Sequence, residues 1–345
     1  MLVGQSLQLL VSGKETSLAV RPPPDPMWHK ATFYGDIDEI RVSSVVRYEK
    51  NFTPKPRFET DADTVALYHC DEGQGDVVKD ASGHNRHAKI SGVKWVATGP
   101  DLGTKTITNS IGMKLAFIPK GTFQMGGGGG KVGDKEVEIA HDFYLGVYQV
   151  TQGEWEKVMG NNPSHFSRTG AGKDLVKDIP DEDLKRFPVE MVSWNDAQLF
   201  LEELNKREIE PGWVYRLPKE AEREYACRGG PASTKLEYGF DFYFEKPTNQ
   251  LLPDQANFDH VKGLKRTCKV GSYKPNRLGL HDMHGNVWEW CEDAQNNADE
   301  GARVIRGGRW DAPATGCRAA APGWGGPAAR YNAIGLRVAR VPVSK

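Results

Sequence analysis

What this chain lacks narrows its function first. Its 345 residues carry 45 Lys and Arg against 46 Asp and Glu, a formal net charge of -1. A nucleic-acid surface needs a clustered basic surplus, so that class of partner is not expected. No apolar run approaches the roughly 18 residues of a membrane-spanning helix. The start, MLVGQSLQLLVSGKE, lacks a basic n-region and an apolar stretch ending at a small-residue cleavage site, so it reads poorly as a signal peptide. Localisation therefore stays open: cytoplasmic, or extracytoplasmic if further sequence precedes Met1. The five cysteines, Cys70, Cys227, Cys268, Cys291 and Cys317, form no C-x-x-C pair and cannot all be bridged, which argues against a zinc site. A phosphate-binding loop is also absent. Gly126 to Gly130 precede Lys131, but Met125 stands where the first glycine is needed and Val132 replaces the Ser or Thr, leaving a flexible surface loop as the expectation. Asp181, Glu182 and Asp183 have no base or nucleophile beside them and read as a solvated charge run in a loop.

What is present is turn chemistry and tryptophan. Glycine at 38, proline at 21 and tryptophan at 9 describe a loop-rich protein whose irregular backbone is anchored by large side chains, and the length allows about two domains. Lys114 to Pro119 and Phe143 to Val150 read as strands. Thr151 with Glu154 forms a capping box opening a helix to about Met159. Ser193 caps a second helix with Ala197, Phe200, Leu201 and Leu204 on one face, and Pro218 sits at the first turn of a third that ends before Gly229. In the first hundred residues, Tyr34 to Tyr48 resembles the closing strand of a laminin-G or concanavalin-like jelly roll, and Leu67 to Trp95 resembles its opening. That order fits an incomplete sandwich, or two pieces pairing into one small sheet. His69, His84 and His87 lie on a Gly/Asn-rich stretch and read as a solvated loop. RPPPDP, from Arg21 to Pro26, reads as a stiff connector, and the polar Gly-Pro stretch between Ala97 and Thr108 as a domain boundary.

The densest feature is LGLHDMHGNVWEWCED, Leu278 to Asp293, followed by RGGRW from Arg306. Two carboxylates, Asp282 and Glu289, flank a Gly-Asn turn. Such a loop can form an oxygen cage for a hard cation such as calcium, or a plain hairpin with buried tryptophans.

Together with GMKLAFIPKGTFQMG (Gly112 to Gly126), FYLGVYQVTQGEW (Phe143 to Trp155), FPVEMVSWNDAQLF (Phe187 to Phe200), YRLPKEAEREYACRGG (Tyr215 to Gly230), RVIRGGRW (Arg303 to Trp310), CRAA (Cys317 to Ala320) and IGLRVAR (Ile334 to Arg340), this segment resembles the formylglycine-generating enzyme family, the sulfatase-modifying factors. The resemblance covers about two thirds of the chain. It implies a loop-rich, C-type lectin-like domain over 107–342; with the jelly-roll-like, smaller all-β segment over 1–100, the expected fold class is α+β.

It also implies a copper oxidase, and here the residues depart. Active members follow the RGG turn with a serine and then two cysteines that hold copper(I). Those positions read Arg309, Ala312 and Cys317, so one thiolate of two remains, copper is not expected, and Cys317 is the only candidate catalytic residue of an oxidase. The family's calcium site maps onto Asp282, Gly285, Val287 and Glu289, all compatible, so calcium is the expected ion. A second calcium site would begin at Asn257 and Phe258, but the segment after them carries four Lys or Arg with Asp259 the only acid. Of the disulfides seen in relatives, one would pair Cys227 with Pro322 and another would fall at Leu201 and Val338, both apolar here. The expectation is a calcium-stabilised binding or scaffold module for a protein or glycan surface, with Trp310, Trp324 and Arg330 as candidate cleft residues. The alternative is an active oxidase that converts a sulfatase cysteine to formylglycine.

Overall fold

In the computed structural model, residues 40–45, 47, 58–70, 72, 75–90 and 105–343 are described, except 233, 262 and 296–300, with short strands at 2–4, 7–11, 14–18, 36–37 and 93–95. The chain divides into two compact units, Met1–Asp101 and Leu102–Lys345. RPPPDP lies outside the described residues.

The first unit contains small antiparallel sheets. Ile40–Ser43 pairs antiparallel with Thr64–Tyr68, so these two stretches meet as neighbouring strands. The turn that follows Thr64–Tyr68 is fixed by one carboxylate: Asp80 accepts from the backbone N–H groups of Leu67, Ser82 and Arg86. His84 and His87 are exposed on this turn, and His87 Nδ1 accepts the Asp80 N–H at 3.0 Å.

The second unit is built on a five-stranded antiparallel sheet in the order Thr106–Thr108, Lys114–Ile118, Phe143–Gly146, Ala339–Pro342, Trp213–Arg216. The capping boxes form as their residue types predict. The Thr151 hydroxyl accepts the Glu154 N–H and opens α1, Gln152–Met159; Ser193 does the same with Asp196 and opens α3, Trp194–Arg207. Trp155 of α1 stacks on Phe200 of α3 at 5.0 Å, 4° from parallel. Leu201 and Val338 are both buried in this apolar core. A second sheet orders Gly323–Gly325, Arg303–Arg306, Trp288–Ala294 and Ile334–Leu336, the last pair parallel.

Three local expectations are corrected. The glycine run is the end of a hairpin, Gly121–Gly128 paired with Lys131–Ile139, and its ladder shifts register between Met125 and Gly127. Asp181 to Asp183 form the first turn of α2, Asp181–Leu184, where three acids complement the positive end of the helix and Pro180 presets the turn. Pro218 stands outside the third predicted helix, α4, which runs Glu220–Cys227.

Candidate functional site

The HGN and RGG turns are bonded to each other. Gly285 N–H donates to Gly307 O at 2.7 Å, and Trp310 N–H donates to Asn286 O at 2.9 Å. Both turns need glycine. Gly285 has φ +89°, and a Cβ there would lie 2.2 Å from Asn257 O; Gly308 has φ +78°, and a Cβ there would lie 2.4 Å from Cys317 Sγ. Arg306 anchors the second turn by pairing with buried Glu224, which also takes Arg228 at 2.8 Å.

The oxygens expected to face a cation do converge, but on a side chain. Gln149 Nε2 lies 3.0 Å from Val287 O and 3.1 Å from Glu289 Oε1, and 3.4 Å from both Asp282 O and Gly285 O. Glu289 is fully buried, and its other contacts are guanidinium. Arg337 donates to Oε1 at 2.8 Å and to Oε2 at 3.0 Å, and Arg223 donates to Oε2 at 3.1 Å. Burial raises the Glu289 carboxyl, but the charges and bonds of Arg223 and Arg337 outweigh it and hold it down to about 2. Asp282 adopts φ +56° and turns its carboxylate away, accepting the Gly271 N–H at 2.8 Å; burial pushes this carboxyl up to about 6.

Calcium does not fit this donor set. It needs six or more oxygens at about 2.3–2.6 Å. Here the centre of the ring holds an amide nitrogen, the Asp282 side chain bonds elsewhere, and both oxygens of the one facing carboxylate are committed to cations already. The second expected site fails for a similar reason. Asn257 presents its Nδ2 donor to Arg266 O and Asn286 Oδ1, Phe258 is buried in an apolar cluster, and Asp259 bonds Lys265 at 2.7 Å.

Copper(I) fits no better. Cys317 is fully buried beside Ala312, Phe242, Leu251, Ala256 and Phe258. Burial pushes its thiol up to about 12, and the S–H faces Arg309 O at 3.9 Å. At the second cysteine position Ala312 offers a methyl group, and at the serine position Arg309 lies over the Trp288 ring at 4.4 Å. One protonated thiol among apolar groups cannot supply the paired sulfur ligands that a soft ion favours.

The three cleft candidates are separate. Trp310 is half-buried, edge-on to Phe166 at 5.6 Å, with its Nε1–H donating to Asn332 O. Trp324 is 55% exposed on an edge strand, and Arg330 is clamped on Asp196 by two bonds of 2.7 Å. Among the described residues no hydrogen bond or ring contact joins them.

Residues 105–342 match the sulfatase-modifying factor enzyme 1-like domain. The chain belongs to that family. It is similar to the chaperone protein LppX of Paenibacillus barcinonensis, 28% identical over 72% of this chain and 92% of LppX. It is 34% identical to the inactive C-alpha-formylglycine-generating enzyme 2 of Bos taurus over 36% of this chain, and that match spans 38% of the bovine protein. Among solved structures, Treponema denticola variable protein 1 superimposes with a TM-score of 0.55 at 27% identity, covering 69% of this chain and 99% of that one. Within the family domain, sequence reasoning missed Gln149, Arg223 and Arg337. Nothing in the sequence marked Arg223: it lies on α4, where five consecutive residues, Arg223 to Cys227, are buried in the structure, and a charge so placed needs a buried partner.

Proposed function

We propose that this protein is a binding or scaffold module that keeps the family fold without the family's copper chemistry. The observation that carries this reading is the position after the RGG turn: a methyl at Ala312, a stacked guanidinium at Arg309, and a lone buried thiol at Cys317. Each removes something the oxidation needs, namely a soft ligand, a small polar group and an accessible thiolate. The similarity to a protein named as a chaperone and to one named as inactive agrees with binding in place of oxidation. Trp324 and Tyr331, each 55% exposed, are the side chains offered to a partner, a protein or glycan surface, because exposed aromatic side chains supply contact area at low entropic cost. A calcium-stabilised form of the module is set aside, since the cage oxygens are bonded to donors of the chain itself. The reading is tested by titrating the pure protein with copper(I) against a competing chelator, beside Cys317→Ser. Equal, weak copper retention by both supports a module without a metal centre; stoichiometric retention lost in Cys317→Ser overturns it.

A further inference from the structure

We propose that the amide of Gln149 takes the place of a cation in the cage of Asp282, Gly285, Val287 and Glu289, making this cage a metal-independent lock between the segment that follows strand Phe143–Gly146 of the five-stranded sheet and the HGN turn. The orientation of the amide is fixed by a chain of bonds that begins at the backbone. Cys268 N–H donates to Asn286 Oδ1 at 3.0 Å, and a backbone N–H can only donate. Asn286 Nδ2 must therefore point the other way, where it donates to Cys268 O at 3.2 Å and to Gln149 Oε1 at 3.1 Å. With Oε1 accepting, Gln149 presents Nε2 to the four oxygens. An amide nitrogen has two hydrogens. They match the two short contacts, Val287 O and Glu289 Oε1, while Asp282 O and Gly285 O lie at longer range.

The charges agree with this arrangement. Glu289 already faces two guanidiniums, and its partners Arg223 and Arg337 are each about as buried as it is, with side-chain exposures of 1% and 0%. A dication brought into the same ring would meet two fixed positive charges in a low-dielectric interior, where such repulsion is strong. The amide adds donors without adding charge. The guanidiniums also reach past Glu289: Arg337 donates to Gly146 O, Val147 O and His281 O, and Arg223 to Met283 O. The lock thus ties the strand Phe143–Gly146 and helix α4 to the HGN turn without an ion.

The test uses the full chain, purified without added metal. Elemental analysis should find calcium far below one ion per chain, and the melting temperature should be the same in excess EDTA and in millimolar calcium. Stoichiometric calcium, or a melting temperature that falls on chelation, overturns the proposal. Gln149→Met keeps the side chain's length and removes both donors. It should melt several degrees lower in EDTA and in calcium alike; an unchanged melting temperature would show that the amide holds nothing. If Gln149→Met fails to fold, the metal content and chelator response of the unmodified protein still decide the question.

Discussion

Glu289→Gln isolates the charge at the centre of the buried network. In the folded protein Glu289 receives three hydrogen bonds from two guanidiniums at 2.8–3.1 Å and one from Gln149, all out of contact with solvent. Glutamine keeps the shape but leaves Arg223 and Arg337 as buried cations without a counter-charge, and turns an amide donor toward donors. Removing one partner of a buried ion pair costs about 3–5 kcal/mol. For a domain of this size each kcal/mol lowers the melting temperature by roughly 2–4 °C, so the expected fall is about 6–20 °C. Differential scanning calorimetry at neutral pH, run in EDTA and again in calcium, measures it. The same loss in both buffers is the expected result. A fall of less than about 2 °C, or a loss that calcium restores, would refute the charge accounting.

Arg223→Met should cost less than half as much as Glu289→Gln, because Arg337 still neutralises Glu289 and because the buried Nη1 of Arg223 has no hydrogen-bond partner to lose; comparing the two melting temperatures checks it. Glu190 is fully buried, its carboxylate accepting the His165 and Phe166 N–H groups at 3.0 and 2.8 Å, and burial pushes its carboxyl up to about 8 from an ordinary 4.5. The folded state then binds the proton more tightly, so this group's contribution falls as pH rises from about 4.5 through 8 and is flat above. Denaturant unfolding across that window should show the decline, and Glu190→Gln should flatten it. The double variant Arg309→Ser, Ala312→Cys should gain copper(I) binding in a chelator competition that the unmodified protein loses; equal copper retention by both would contradict the assignment of these positions.

The elements that could be read from the residues are those with local causes. Thr151 and Ser193 specify helix starts through their own hydroxyls, and the ordered motif blocks identify the family. The carbonyl positions of the cage, Gly285 and Val287, came from the family resemblance, and their oxygens do converge. What fills the cage was not, because Gln149 lies more than 130 residues away in sequence and arrives there only through the pairing of the Phe143–Gly146 strand in the sheet. Arg223 and Arg337 were hidden for the same reason: each charge makes sense only beside Glu289, a partner brought by tertiary folding. The glycine run misled because flexibility is a property of isolated glycines, whereas here the paired strand Lys131–Ile139 supplies the constraint.

Persistence of the family fold without the family's oxidation, as proposed above, is tested most directly by incubating the protein with copper and a sulfatase-type peptide containing C-x-P-x-R in aerated buffer, then weighing the peptide. The peptide mass should be unchanged. Loss of the cysteine sulfur with formation of the aldehyde, dependent on Cys317, would contradict it.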